Sequence, residues 1–239
     1  MSDQGWVRHV VRWVGAAAGL AVGAYAASAA ATWLGYGRER RPADPAARDE
    51  WLDRFMPACE VAERHHVRVD APAATTLAAA QQIDLSDSAI VRAVFKGREV
   101  FMGSQSAAQK APRPLLDQMR ALGWGVLAEV PGRELVLGAA TRPWESNPVF
   151  RALPAGEFAA FQEPGYAKIV WTLRADPVDG ERSIFRTETR VATTDAASRA
   201  RFRRYWSCVK PGVVLIRRMM LSAIKSAAER RAGPGQTAA

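Results

Sequence analysis

Three kinds of hydrophobic pattern follow one another along the chain, and each predicts a different element. Between Arg12 and Arg38 twenty-five residues carry no charge, WVGAAAGLAVGAYAASAAATWLGYG, an unbroken small and apolar run that reads as one long helix. From Glu60 to Asp70, EVAERHHVRVD, the period falls to two: Val61, Glu63, His65, Val67 and Val69 share one face, and Ala62, Arg64, His66 and Arg68 the other. AATTLAAAQQIDLSDSAIVRAVFKG then suggests two short helices joined near Asp84 to Asp87, and PLLDQMRAL another. Residues 104 to 114, polar with two prolines, read as a loop or lid.

Strands dominate the second half. Trp124 to Trp144 is a hairpin pattern, two apolar runs flanking Pro131-Gly132, where glycine tolerates the positive backbone angle of a tight turn. A second hairpin joins GYAKIVWTLRADP to RSIFRTETRVATT through Val178 to Glu181. Its alternation sets Ile169, Trp171 and Leu173 with Phe185, Thr187 and Thr189 on one face, and leaves Lys168, Arg186, Glu188 and Arg190 on the other as a cross-strand ionic lattice. Asp195 then serves as the N-cap of a long helix. Phe202, Trp206, Val209, Val213, Ile216, Met220 and Ile224 form its apolar stripe, with Lys210, Arg217 and Arg218 mostly off it. Pro211 is expected to kink or split that helix.

This order of elements resembles the START-like superfamily, often labelled SRPBCC, of polyketide cyclases and lipid-transfer domains. The likeness is carried by VRVDAPAATTLAAAQQIDL at 67 to 85, GREVFMG at 97 to 103, PGRELVLGAATRPW at 131 to 144, FAAFQEPGYAKIVWTLRADP at 158 to 177, and TETRVATTDAASRARFRRYW at 187 to 206. The resemblance implies an α+β helix-grip fold, an antiparallel sheet wrapped around the long C-terminal helix with a cavity between them. The expected organisation is an N-terminal hydrophobic helix over 1–36, a linker over 37–58, the START-like domain over 59–231 and a tail over 232–239.

Composition sharpens this reading. Cys59 and Cys208 are the only two cysteines and lack metal-ligand or redox spacing, so no metal site, cofactor or disulfide is expected. The net charge of +9 is concentrated at the end: residues 196–239 hold ten Lys or Arg against one acid, which suits a polyanionic partner. Nucleic acid is disfavoured, because Phe202, Tyr205 and Trp206 lie on or beside the stripe meant for burial. An anionic membrane is favoured. The apolar run is long enough to cross a core of about 30 Å, and Trp13 and Trp33 suit its two interfaces. Because the run is mostly Ala and Gly, a soluble helix or a cleaved secretory signal stands beside the single-pass anchor. The anchor places the domain in the cytoplasm, by the excess of arginine after it; cleavage places it outside or in a periplasm. Gly15, Gly19 and Gly23 form a smooth stripe for self-association.

The first function expected is binding of a hydrophobic, lipid-like or polycyclic molecule. Its pocket is lined by Trp171, Ile169, Phe185, Leu137 and Trp206, with Thr187, Thr189, Glu63 and His65 as polar handles. Catalysis is the alternative, a cyclase-like or dehydrase-like reaction with Glu63 orienting His65 as general acid or base. A structural membrane-side domain without ligand is the third. The sequence favours a binding protein over an enzyme.

Overall fold

The structure is a computed structural model that describes residues 3–38, 44–84 and 114–233. The elements run in the order α1 (Asp3–Gly35), α2 (Glu50–Phe55), β1 (Val61–Val69), α3 (Ala73–Gln82), α4 (Leu115–Ala121), β2 (Gly125–Val130), β3 (Glu134–Thr141), β4 (Phe150–Arg151), α5 (Ala155–Phe158), β5 (Ala167–Pro177), β6 (Ser183–Thr193) and α6 (Ala196–Ala232). The strands form one antiparallel sheet in the order β1-β6-β5-β3-β2, with β4 beside β3. α6 crosses it and also packs on α3 and α1. This is an α+β helix-grip architecture, an antiparallel sheet gripping a long C-terminal helix. The second helix expected after Asp84, the GREVFMG stretch and most of the polar loop lie outside the described residues.

Both expected hairpins are present. Gly132 sits at φ +70° in the first turn, a conformation L side chains rarely adopt. Asp195 caps α6 by accepting from the Ser198 N–H at 2.8 Å. Its carboxylate also accepts from the Gly165 N–H and the Ser198 hydroxyl, and these hydrogen bonds hold its pKa far below the usual carboxylate range. α6 runs unbroken through Pro211, so the proline does not split it.

Strand pairing puts the alternating residues where the two-residue period requires. One concave row runs Leu137–Trp171–Thr189–Glu63 across four strands, and the next Leu135–Leu173–Thr187–His65. At one end this face closes on α3 and α6 through Val69, Leu77, Phe185, Met220 and Ile224. Burying each such side chain contributes roughly 1.5–3 kcal/mol relative to exposure.

The convex face is also covered, which explains why every residue of β3 is buried. Residues 44–58, expected as part of a linker, include α2, whose Leu52 and Phe55 pack with Met56, Val136, Val170 and Phe158 beneath the sheet. Gly138 belongs to this layer, since a Cβ there would collide with the Leu127 and Phe158 side chains.

α1 departs from the sequence expectation. Among the described residues no helix is long and apolar enough to cross a membrane. α1 has the length, but alanine and glycine supply too little apolar surface per residue, so the transmembrane reading is not supported. Its C-terminal part instead folds back on α6. The Tyr25 hydroxyl donates to the Cys208 carbonyl, and Arg203 donates to the Trp33 carbonyl at 2.7 and 3.1 Å while stacking over the Trp33 ring at 4.0 Å. Tyr36 packs on Phe202, and the Gly37 N–H donates to the Glu60 carbonyl at 3.1 Å. Further towards the N-terminus, Gly19 and Gly23 face nothing within 4 Å of where a Cβ would stand.

A candidate polar seam beneath the C-terminal helix

Edge strand β1 and helix α6 leave a seam on the concave face, and polar side chains from both elements line it. The β period of two brings Glu63 and His65 inward, while the helical period brings Lys210 and Arg217 down from α6 two turns apart. Lys210 Nζ lies 2.6 Å from Glu63 Oε1, a close ion pair. Arg217 Nη2 donates to Thr189 Oγ1 at 2.7 Å, and Nη1 reaches Thr187 Oγ1 at 3.5 Å. The Arg217 guanidinium lies 4.4 Å from the centre of the Trp171 ring.

Trp171 is fixed from all sides. Its indole N–H donates to Thr187 Oγ1 at 2.7 Å, and the Thr187 hydroxyl in turn donates to the Thr172 carbonyl at 2.8 Å. Trp124 meets its edge at 6.3 Å and 73°. At 4% exposure Trp171 is a packed wall of the interior. Sequence reasoning expected it to line an open cavity.

The charges in the seam perturb one another. Burial pushes Arg217 down to about 10, partly offset by Glu63. Burial also lowers the His65 pKa; Glu63 opposes this, and Arg217, Arg218 and Lys210 add to it. His65 Nε2 is buried without a hydrogen-bond partner and lies 3.8 Å from Glu63 Oε2, beyond hydrogen-bond reach. Glu63 thus holds Lys210 closely and His65 only by its field. A His oriented by a carboxylate, the arrangement the catalytic alternative needs, is not formed here.

A cavity of about 320 Å³ opens where this seam meets α1. Ala31, Thr32 and Tyr36 of α1 and its following turn form one wall, and Trp206 and Lys210 of α6 another; Glu63 lies on the β1 side. Burial, reinforced by Glu60, raises the Tyr36 hydroxyl well above its usual range, and that hydroxyl has no hydrogen-bond partner.

Of the residues expected to bind a ligand, Leu137, Trp171 and Phe185 stand together in the main core. Thr187 and Thr189 join the Arg217 cluster. Ile169 and Trp206 belong to a separate group with Val61, Val191, Phe202 and Tyr36, at the α1 end. Lys210 and Arg217 were not expected in the site. Their signal was nonetheless present: Trp206, Lys210, Val213, Arg217, Met220 and Ile224 are spaced four, three, four, three and four, a helical face as regular as the apolar stripe. Among the described residues no group of three or more His, Cys, Asp or Glu is placed to hold a metal.

No protein-family model matches the sequence, and no curated protein does. Among solved structures, a hypothetical protein of Helicobacter pylori aligns over 79% of this chain and 99% of its own, at 8% identity and a TM-score of 0.37. The Zhui aromatase/cyclase of a Streptomyces species aligns over 73% of this chain and 96% of its own, at 15% identity and a TM-score of 0.26. The di-domain aromatase/cyclase BexL aligns over 73% of this chain and 48% of its own, at 14% identity and a TM-score of 0.28. The fold class rests on the strand order and the gripping helix themselves.

Proposed function

We propose that this protein is a helix-grip binding protein that takes up an amphipathic, largely apolar small molecule at the seam between β1, α6 and α1. The observation that carries the reading is the cavity of about 320 Å³ bounded by Tyr36, Trp206, Glu63 and Lys210. Aromatic walls with a few convergent polar groups are the usual make-up of a small-molecule site. The buried, unpartnered Tyr36 hydroxyl on the cavity wall supplies a polar group with capacity to spare. The cavity supports binding more directly than the 3.8 Å contact of His65 with Glu63 supports catalysis, so a binding role is preferred. Native mass spectrometry of the full chain, purified without added lipid and followed by organic extraction, tests this. A stoichiometric passenger that is lost on Trp206→Glu, with the fold retained, is the expected result; empty protein that takes up no apolar compound from a panel would overturn it.

A second reading concerns attachment. Trp13, Leu20 and Val22 on α1 are 75%, 76% and 70% exposed, more apolar surface than water tolerates comfortably on one helix. Together with the cationic α6, this supports docking of α1 on an anionic lipid surface, where each nearby Lys or Arg contributes about 1 kcal/mol. Flotation with phosphatidylserine vesicles is expected for the full chain and not for a chain lacking residues 1–24; equal flotation of both would sink it.

A further inference from the structure

We propose that the seam recognises an acidic head group: Arg217, supported by Thr189 and Lys210, holds the carboxylate or a comparable anion of the apolar ligand. This rests on the seam being a ligand site and adds which chemical class it takes.

Four other arginines, on the sheet, show how this chain treats a guanidinium. Arg64, Arg174, Arg186 and Arg190, all at least partly buried on the sheet, each have a carboxylate oxygen within 2.6–2.9 Å. Arg217 has none within 4.0 Å among the described residues. The acid in its field is Glu63, and Lys210 already holds that carboxylate at 2.6 Å. Removing a cation from water without a counter-charge is unfavourable, so such a group is kept where something else supplies the charge.

The protein partners of Arg217 leave part of its donor capacity unused. A guanidinium carries five N–H donors in a rigid fork that matches a carboxylate. Here two are directed at threonine hydroxyls, and its face rests on Trp171. Thr189 and Trp171 therefore fix its orientation without neutralising it. Arg217, Arg218 and Lys210 all act on His65, against the single carboxylate of Glu63, so the field of the seam favours a second anion. Tyr36 and Trp206, which line the cavity where the seam meets α1, provide the surface for the rest of the molecule.

Two classes of acid share this chemistry, an aliphatic one and a flat aromatic one, and calorimetric titration of the full chain separates them. Dodecanoate is compared with dodecanol, and a naphthalene carboxylate with the matching naphthalene methanol. In at least one pair the acid is expected to bind at least tenfold more tightly than the alcohol. Arg217→Met should bring the acid down to the alcohol's affinity, and Arg217→Lys should retain part of the preference. Should Arg217→Met fail to fold, the acid-to-alcohol ratio of the natural chain and a several-fold loss of it in Thr189→Val decide the matter. Acid and alcohol binding equally would overturn the acidic class and leave the ligand site standing. A preference that survives Arg217→Met would overturn the assignment to Arg217. If neither pair binds at all, the reading of the seam as a ligand site fails and this inference with it.

Discussion

On the convex face of the sheet Arg190 is held by Glu188 at 2.6 Å, Asp53 at 2.7 Å and the Met56 carbonyl at 3.0 Å, while on the concave face Arg217 meets two hydroxyls and an indole ring. The convex pattern extends along the strands. Arg64 shares Glu188, Asp176 takes both Arg174 and Arg186, and Lys168 donates to the Phe158 and Ala159 carbonyls. Glu134, despite the field of Arg174, keeps its proton. Burial, with Asp49 beside it, pushes Glu134 up to about 8. A face that matches its own charges is built for stability; one that leaves a cation unmatched is open to something from outside.

The comparison can be broken at several points. The largest effect is expected at the apolar end of the concave face, where Phe185→Ala should lower unfolding free energy by about 3–5 kcal/mol in denaturant titrations. A loss under about 1 kcal/mol there would mean that this end is loosely filled. Next, Arg190→Met leaves Glu188 buried with less compensation and should cost about 3 kcal/mol.

Glu134→Gln is expected to act through pH. In the folded chain the carboxyl keeps its proton up to about 8, whereas an ordinary glutamate releases it near 4.5. Folding therefore binds a proton between those values, and stability falls as pH rises through the window, at a slope of up to about 1.4 kcal/mol per pH unit. The Gln variant should lose that slope and be the more stable protein at pH 8; matching profiles would remove Glu134 as its cause. The smallest change belongs to the other face. Arg217→Met exchanges an unmatched cation for an apolar chain and should shift stability by less than about 1 kcal/mol in either direction. A loss as large as that of Arg190→Met would make Arg217 a structural residue and erase the contrast between the faces.

Much of this fold was legible in the residues. Strict alternation in β1, β5 and β6 assigned the face of Glu63, His65, Trp171, Phe185, Thr187 and Thr189, because a strand has only two faces and one was plainly apolar. Pro131-Gly132 and Asp195 marked a turn and a cap whose geometry is local. Residues 44–58 were harder. Asp49 and the apolar Trp51, Leu52 and Phe55 are too short a signal to show that this stretch covers the back of the sheet. Lys210 and Arg217 are hidden for the opposite reason: two helical faces of equal regularity compete on α6, and hydrophobic periodicity favours the more apolar one.

The sequence by itself determined the long C-terminal helix, the two hairpins and the first strand, their order, and which side of β1, β5 and β6 is concave, since these follow from backbone period and local turn chemistry. It also determined that α1 is helical and rich in small residues. Only the tertiary structure decided that α1 folds back on α6 to wall a cavity, that Glu63 pairs with Lys210 and leaves His65 aside, and that Arg217 reaches Trp171 without an acid beside it. Those facts depend on contacts between residues from 46 (Trp171 and Arg217) to 183 (Tyr25 and Cys208) positions apart. Periodicity assigns a side chain to a face, and only packing of the faces assigns it a partner.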